Sequence, residues 1–569
     1  KYTDLPEYEG NIGMIMLENI RAAMAQDVYI AKGGQETISP RFTYHGYRFI
    51  EITGIDKPLP VGAVKGVVLS SIHELASRYE TSNTQVNQLW KNITWSSYGN
   101  FLSIPTDCPQ RNERLGWAGD ISVFSRTATY LADVPQFLRR YLRSMRDVQR
   151  TDGRFPDIAP LGGGFGGLLW GSAGITVPWE CYQQYGDTIL LSEHYDAMKR
   201  YIQYIIDNTI ETETNLIVQT RSWGDLCDWL GLEDEKNDKS LVWEAYFIYD
   251  LELMAKMATV LGKVTDAEWF RELHAARKDF FNKTYIEPET GKTLFSAFVP
   301  EKKGSHIDIQ TSYVLPLAFN IIDEENRNKV IANLAEPVKR KNTTDRGQQC
   351  PSYSLMTGFI GTSWINKALS DYGHSDLAYR LLQQTSYPSW LYSIEQGATT
   401  IWERLNSYTR TDGFGGNNRM NSFNHYSFGA VGAWMYNYSL GIQRDETFPG
   451  FKQFVLKPMP DPTGKMTYAR GYYDSMYGRI ESGWKVESGV IRYTFTVPAN
   501  TTATLYLPTA SLRDVREKTK PVRKCKGVEF ISEGNGEVVL KLLSGSYSFE
   551  VKKDYPLAAR KRKKYVFVR

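Results

Sequence analysis

The strongest constraint on this chain lies between residues 83 and 450, where seven segments place apolar residues at three- and four-residue spacing: NTQVNQLWKNITWSSY, VPQFLRRYLRSMRDVQ, HYDAMKRYIQYIIDNT, LVWEAYFIYDLELMAKMATVLG, DAEWFRELHAARKDFFNKTY, RNKVIANLAEPVKRK and SDLAYRLLQQTSYP. That spacing follows the helical turn and gives each segment an apolar stripe. Several are preceded by an Asp, Ser or Thr suited to an N-cap. Helices of this kind, separated by Gly- and Trp-rich loops, need a common core. A toroid of helical hairpins supplies one and leaves its long loops free at one end, so the expectation is an all-α (α/α)6 barrel over 76–450. No fixed-period repeat favours a solenoid.

The flanks read differently. From 451 to 555 the pattern turns to period two, in KVESGVIRYTFTVPANTTATLYLPT and GVEFISEGNGEVVLKLLSGSYSFEV, with Gly, Asn and Pro turns suited to an antiparallel sandwich. Residues 1–75 carry alternating stretches such as RFTYHGYRFIEITGI and read as the end of an N-terminal β-sandwich domain whose opening strands are missing. The last residues, 556–569, hold RKRKK and read as a solvated basic tail.

At 569 residues the chain is too long for one ordinary core. A net charge of +3 gives no reason to expect nucleic acid or an anionic membrane, and no apolar run is long enough to span a bilayer. Aromatics reach 13%, with 36 Tyr and 14 Trp, an excess that suits the flat C–H faces of sugars. Five scattered cysteines form neither a disulfide framework nor a zinc motif. No His/Cys/carboxylate cluster has metal-ligand spacing, so no cofactor is expected; calcium on loop oxygens stays open. The opening KYTDLPEYEG lacks a signal-peptide core, which leaves a cytoplasmic protein, or a periplasmic or secreted one whose leader precedes residue 1.

One stretch gathers chemistry. TDCPQRNERLGWAGD crowds Asp107, Glu113 and Asp120 around Arg111, Arg114 and Trp117. Breaking a glycosidic bond needs one carboxylic acid to protonate the leaving oxygen and a second carboxylate to activate water or attack. Glu113 is the best acid of the three: Asp107 and Asp120 nearby are expected to hold its proton on, while Arg111 or Arg114 keeps a neighbouring Asp ionised. The second carboxylate is sought in EQGATTIWERLNSY, where Glu403 stands beside Trp402 and Glu395 is the rival. The run GGGFGG at 162–167 lacks a preceding strand and a following Gly-Lys-Ser/Thr, and reads as a loop at the pocket rim.

Taken in order, DCPQRNERLGWAGD, VPWECYQQYGD, SYPSWLYSIEQGATTIWER and NSFNHYSFGAVGAWMY resemble the bacterial α-L-rhamnosidases of glycoside hydrolase family 78 over about residues 40 to 510. The resemblance implies an (α/α)6 barrel flanked by β-sandwiches that releases terminal α-L-rhamnose with inversion, from a rhamnose-containing oligosaccharide, polysaccharide or glycoside, as a monomer or homodimer. It carries the general acid onto Glu113, the general base onto Glu403, and hydroxyl-binding or pocket roles onto Asp107, Asp120, Trp117 and His425, with Arg111 of the same stretch expected to join them in binding substrate. Trp170 in GGLLWGSAG and Trp223 in RSWGDLCDWLG match looser motifs for walls against the sugar's methyl face. The chain departs from the family at Leu405 and Asn406, in place of an aromatic and an acid, which implies a reshaped subsite, and at Asn112.

Another glycosidase or a polysaccharide lyase on the same toroid, or a sugar-binding protein that lost turnover, are the competing readings. A lyase wants a Tyr or His base and cations for a uronate; a binding protein wants Glu113 or Glu403 gone. For an inverting pair, the carboxyl groups are expected about 6.5–9.5 Å apart.

Overall fold

The computed structural model describes residues 2–164, 167–219, 226–415, 418–487, 489–518 and 520–552. Its centre is a double ring of helices. In chain order they are α1 (Thr84–Asn100), α2 (Ala118–Leu131), α3 (Pro135–Asp147), α4 (Ala173–Tyr185), α5 (Thr188–Thr209), α6 (Lys239–Val260), α7 (Val264–Tyr285), α8 (Gln310–Ala318), α9 (Glu324–Lys339), α10 (Phe359–Asp371), α11 (Ser375–Leu382) and the short α12 (Trp390–Glu395).

Sequence decides which ring each helix joins. In α6, Leu241–Leu251 is buried without a break: apolar residues stand on every side, and the two carboxylates in the run, Glu244 and Asp250, are bonded to Arg277 and Ser172. Helices α2, α4, α8 and α10 are buried in the same way. By contrast α3 buries Leu138, Tyr141, Leu142 and Met145 along one stripe and leaves its arginines on the other side. The inner ring runs α2, α4, α6, α8, α10 and then Ser427–Ser439, an irregular sixth segment that packs back on α2 and closes the circle. Helices α1, α3, α5, α7, α9 and α11 lie outside, so the six-hairpin toroid expected from the periodicity is the fold. Side-chain caps mark several entries: Asn83 accepts from the backbone N–H groups of Gln85 and Val86, Asp187 from Leu190 and Asp238 from Ser240.

Inside the barrel wall Glu180 of α4 lies between Arg126 of α2 and Arg444, each 2.7 Å away. Burial opposes its charge, yet the two guanidinium groups hold its carboxyl down to about 2. Because Arg444 ends the strand Ile442–Arg444, this triad ties the helices to the β-domain.

The C-terminal domain pairs a seven-stranded and a five-stranded sheet. One strand of the larger sheet comes from the other end of the barrel. Ser77–Thr81 runs antiparallel to Tyr468–Ser475, with Ser77 opposite Tyr473 and Thr81 opposite Ala469. The domain bound at 76 assigns those residues to the barrel; five residues cannot announce a partner nearly four hundred positions away.

A second difference concerns residues 2–76. Their alternating stretches form no strand: the described residues before Ser77 hold only the 3-10 turns Pro6–Tyr8, Glu18–Ile20 and Val61–Ala63. Val28, Ile30, Phe42 and Phe49 are exposed. A strand needs a neighbour for its backbone N–H and C=O groups, and among the described residues none runs beside 41–55. Among the described residues, no helix is long and apolar enough to cross a membrane.

Candidate active site

The loop before α2 is folded by its own polar groups. The Asp107 N–H donates to the Leu115 carbonyl at 2.9 Å, and Asp107 Oδ1 accepts from the Leu115 N–H at 2.9 Å. This closes residues 107–115 into a lobe with Arg111 inside. Of the two arginines that the motif offers, Arg111 turns inward and is 1% exposed. Arg114, at φ 48°, turns away: it donates to the carbonyls of Pro109 and Tyr44 and stacks 4.0 Å from the Tyr44 ring.

Arg111 draws the two candidate carboxylates together. Its Nη2 lies 2.8 Å from Glu113 Oε2 and 3.3 Å from Glu403 Oε2. Those two oxygens therefore stand no more than about 6 Å apart, closer than the span expected for the carboxyl groups as wholes, because a shared cation attracts one oxygen of each. Glu403 reaches the site from a loop stitched across the chain: its N–H donates to the Ser422 carbonyl, and the Ile401 N–H donates to Ser96 Oγ on α1. Its rival Glu395 sits at the exposed end of α12, bonded to Gln85, away from this group.

The protonation pattern differs from the sequence expectation. Burial pushes Glu113 up, but Arg111, Arg21 and hydrogen bonds from Asp107 and Trp117 outweigh it and hold the carboxyl below its ordinary value. Burial, with Glu113 beside it, pushes Asp107 up to about 7. Burial also raises Glu403, opposed by Arg111, and raises Asp120 well above the carboxylate range. The proton expected on Glu113 is thus favoured on its neighbours, since the cations face Glu113 and not Asp120.

Asp120 lies in the first turn of α2, where Oδ1 accepts from Ser427 Oγ at 2.9 Å and lies 3.1 Å from His425 Nε2. Burial and Arg111 pull His425 down to about 3, so the imidazole is neutral. Trp117 donates from Nε1 to Glu113 Oε1 at 3.2 Å, a polar contact beside its expected role as an apolar wall. Trp170 is buried against the same turn of α2. A Cβ on Gly119 would stand 2.5 Å from the indole, so only glycine lets the ring lie there. Trp223 lies outside the described residues, as do residues 165 and 166 of the glycine run.

Leu405 points into the hydrophobic core, and Asn112 is exposed. The fold also gathers Asp107, Cys108 and His425, with one donor atom of each within 4.8 Å of the others, a grouping that local spacing does not announce. Three contacts escaped the sequence reading. Trp229 hydrogen-bonds Glu403, Ser427 holds Asp120, and Arg21 holds Glu113. Trp229 shares the motif RSWGDLCDWLG with Trp223; Arg21 has no local signal at all.

A six-hairpin helical toroid with carboxylates converging on a buried arginine at the mouth of its inner ring has the form of a helical-barrel glycosidase. The family model for the bacterial alpha-L-rhamnosidase 6 hairpin glycosidase domain matches residues 74–439, that for the C-terminal domain residues 441–521, and that for the concanavalin-like domain residues 5–70. The chain belongs to the bacterial α-L-rhamnosidase family. It is 38% identical to an α-L-rhamnosidase of Streptomyces avermitilis over 95% of this chain and 48% of that one. It is 34% identical to one of Formosa agariphila, over 95% of this chain and 56% of the other. The crystal structure of the Streptomyces avermitilis α-L-rhamnosidase complexed with L-rhamnose superposes with a TM-score of 0.83 at 36% identity, over 95% of this chain and 48% of that one. The chain spans about half the length of these relatives.

Proposed function

We propose that this chain hydrolyses terminal non-reducing α-L-rhamnosyl groups of a rhamnose-containing oligosaccharide, polysaccharide or glycoside, with inversion. Glu113 protonates the departing oxygen and Glu403 takes a proton from the attacking water. The observation that carries the reading is the bridge from Arg111 to Glu113 and Glu403, two carboxylates from loops about three hundred residues apart. Side chains fill both roles, so the reading asks for no cofactor.

Around that pair Asp107, Asp120 and His425 bind the ring hydroxyls, and Trp117 and Trp170 form the apolar side that receives the C5 methyl group of L-rhamnose, where a hydroxymethyl group would be out of place. Arg111 keeps the pair from repelling one another. A lyase reading loses support here, because the two cations of the site, Arg111 and Arg21, are already paired with its own carboxylates and are not left free to neutralise a uronate.

The test is turnover of para-nitrophenyl α-L-rhamnoside beside other aryl glycosides, followed by proton NMR of the first sugar released. Hydrolysis of the rhamnoside alone, with β-rhamnose appearing before mutarotation, supports the reading. Early α-rhamnose would mean a covalent intermediate, and turnover of another glycoside in preference would replace the substrate.

Asp107→Ala is expected to lower kcat/KM by about 2–4 kcal/mol of transition-state binding, since it leaves buried hydrogen bonds to the sugar unmade in a closed site. Steady-state kinetics checks this; an unchanged kcat/KM removes Asp107 from the binding set.

A further inference from the structure

Arg21 does not belong to the barrel. It lies at the end of the turn Glu18–Ile20, in the N-terminal stretch, with φ 58° and ψ −121°, a backbone conformation that suits glycine. A residue with a Cβ persists there only where its surroundings over-determine it, and Arg21 is held at several points. Its Nη1 lies 2.7 Å from Glu113 Oε2, and its Nε donates to the Arg419 carbonyl at 2.8 Å. Arg111 reaches the same two acceptors from inside, Glu113 Oε2 at 2.8 Å and the Arg419 carbonyl at 3.5 Å. The two guanidinium groups thus form a clamp with Glu113 at one end.

The stretch that carries Arg21 is anchored to the loop that follows Glu403. The Phe414 N–H donates to Tyr8 Oη at 2.6 Å, and the rings of Tyr2 and Tyr8 pack against Phe414 at 6.3 and 6.0 Å. Asn418 Nδ2 donates to Glu18 Oε2 at 2.6 Å. Because Glu113 is the group that faces the leaving oxygen in the proposed reaction, a cation seated on it from the rim stands on the leaving-group side.

We propose that Arg21 is a positioning residue for Glu113: it fixes the orientation of that carboxyl from outside the barrel and sets the pH at which it gives up its proton. The proposal rests on the reading of Glu113 as general acid. The charged and titratable groups facing Glu113 are Arg21 from the N-terminal stretch, Arg111 and Asp107 from its own loop, and Glu403 from the opposite loop. Two of them are cations, and Trp117 adds a hydrogen bond. While both guanidinium groups are seated they favour the ionised form of Glu113, and burial raises Asp107, which hydrogen-bonds it. Withdrawing Arg21 leaves Arg111 shared between two carboxylates and lets Glu113 take the proton at higher pH.

The experiment compares kcat/KM against pH for the unaltered chain, Arg21→Ala and Arg21→Lys, on an alkyl rhamnoside with a poor leaving group and on an aryl rhamnoside with a good one. A general acid works protonated, so activity falls as pH rises through its pKa. Removing the positive charge raises that pKa, and the alkaline limb on the alkyl substrate is expected to move up by about one pH unit in Arg21→Ala. Arg21→Lys should return most of the shift, and the aryl substrate should move far less. Arg21 is about a quarter exposed, and a thermal melt checks that the variant folds.

An unmoved alkaline limb overturns the proposal, whatever happens to KM. Glu113→Gln on the same two substrates separates the two failures. If it loses activity equally on both, Glu113 is not the acid and the proposal falls with that reading. If it loses chiefly the alkyl substrate while Arg21→Ala leaves the limb in place, only the role of Arg21 is lost.

Discussion

Glu403→Ala is expected to lose activity on every rhamnoside, by about 10²–10⁴-fold, because water must be deprotonated whatever group departs. Parallel assays on an alkyl and an aryl rhamnoside check this. Added azide, which needs no base, is expected to enter the space vacated by the carboxylate and restore turnover as β-rhamnosyl azide by a single inversion. The α-azide would show a covalent intermediate, and near-normal rates without azide would remove Glu403 as the base. Glu395 would then have to act from an exposed helix end where it is bonded to Gln85.

Glu113→Ala is expected to split the two substrates. An acid matters in proportion to how poor the leaving group is, so the alkyl rhamnoside should lose about 10²–10⁴-fold while the aryl rhamnoside keeps much of its rate. Equal losses on both would take the acid role from Glu113. The variant also relieves the site of one of two carboxylates that share Arg111, and Glu403, raised by burial and by Glu113, then titrates lower. A base works ionised, so the acid limb of the surviving aryl activity is expected to move to lower pH.

The two glutamates share one buried cation. Arg111 is 1% exposed, and its attraction to Glu113 and Glu403 is little screened by water. Either glutamate alone would make an ordinary buried ion pair. Together, with Arg21 also on Glu113, they leave Glu403 the less neutralised partner, and a carboxyl in that position can change protonation within the range where enzymes work.

Much of the architecture was legible in the chain itself. Apolar spacing in Pro135–Asp147 and the apolar residues on every side of Lys239–Val260 are local properties; each helix carries its own stripe, and outer and inner positions differ in how wide that stripe is. The same holds for the period-two strands after 450. The close packing of Asp107, Arg111, Glu113, Trp117 and Asp120 into one loop and the turn after it could also be read directly, because neighbours in sequence stay neighbours in space.

Tertiary structure alone decided the rest, since it depended on which distant groups met. Arg111 rather than Arg114 turned inward because the Asp107–Leu115 pair closed the loop around it while Tyr44 gave Arg114 a ring to stack on. Ser77–Thr81 left the barrel's register for a sheet edge that Tyr468–Ser475 offered, whereas 41–55, with the same alternation, found no partner strand among the described residues. The proton moved in preference from Glu113 to its neighbours because two cations, one of them Arg21 from outside the barrel, converged on Glu113. Periodicity is a property of a segment, but a carboxyl's charge state and a strand's pairing belong to the surroundings, and those exist only once the chain has folded.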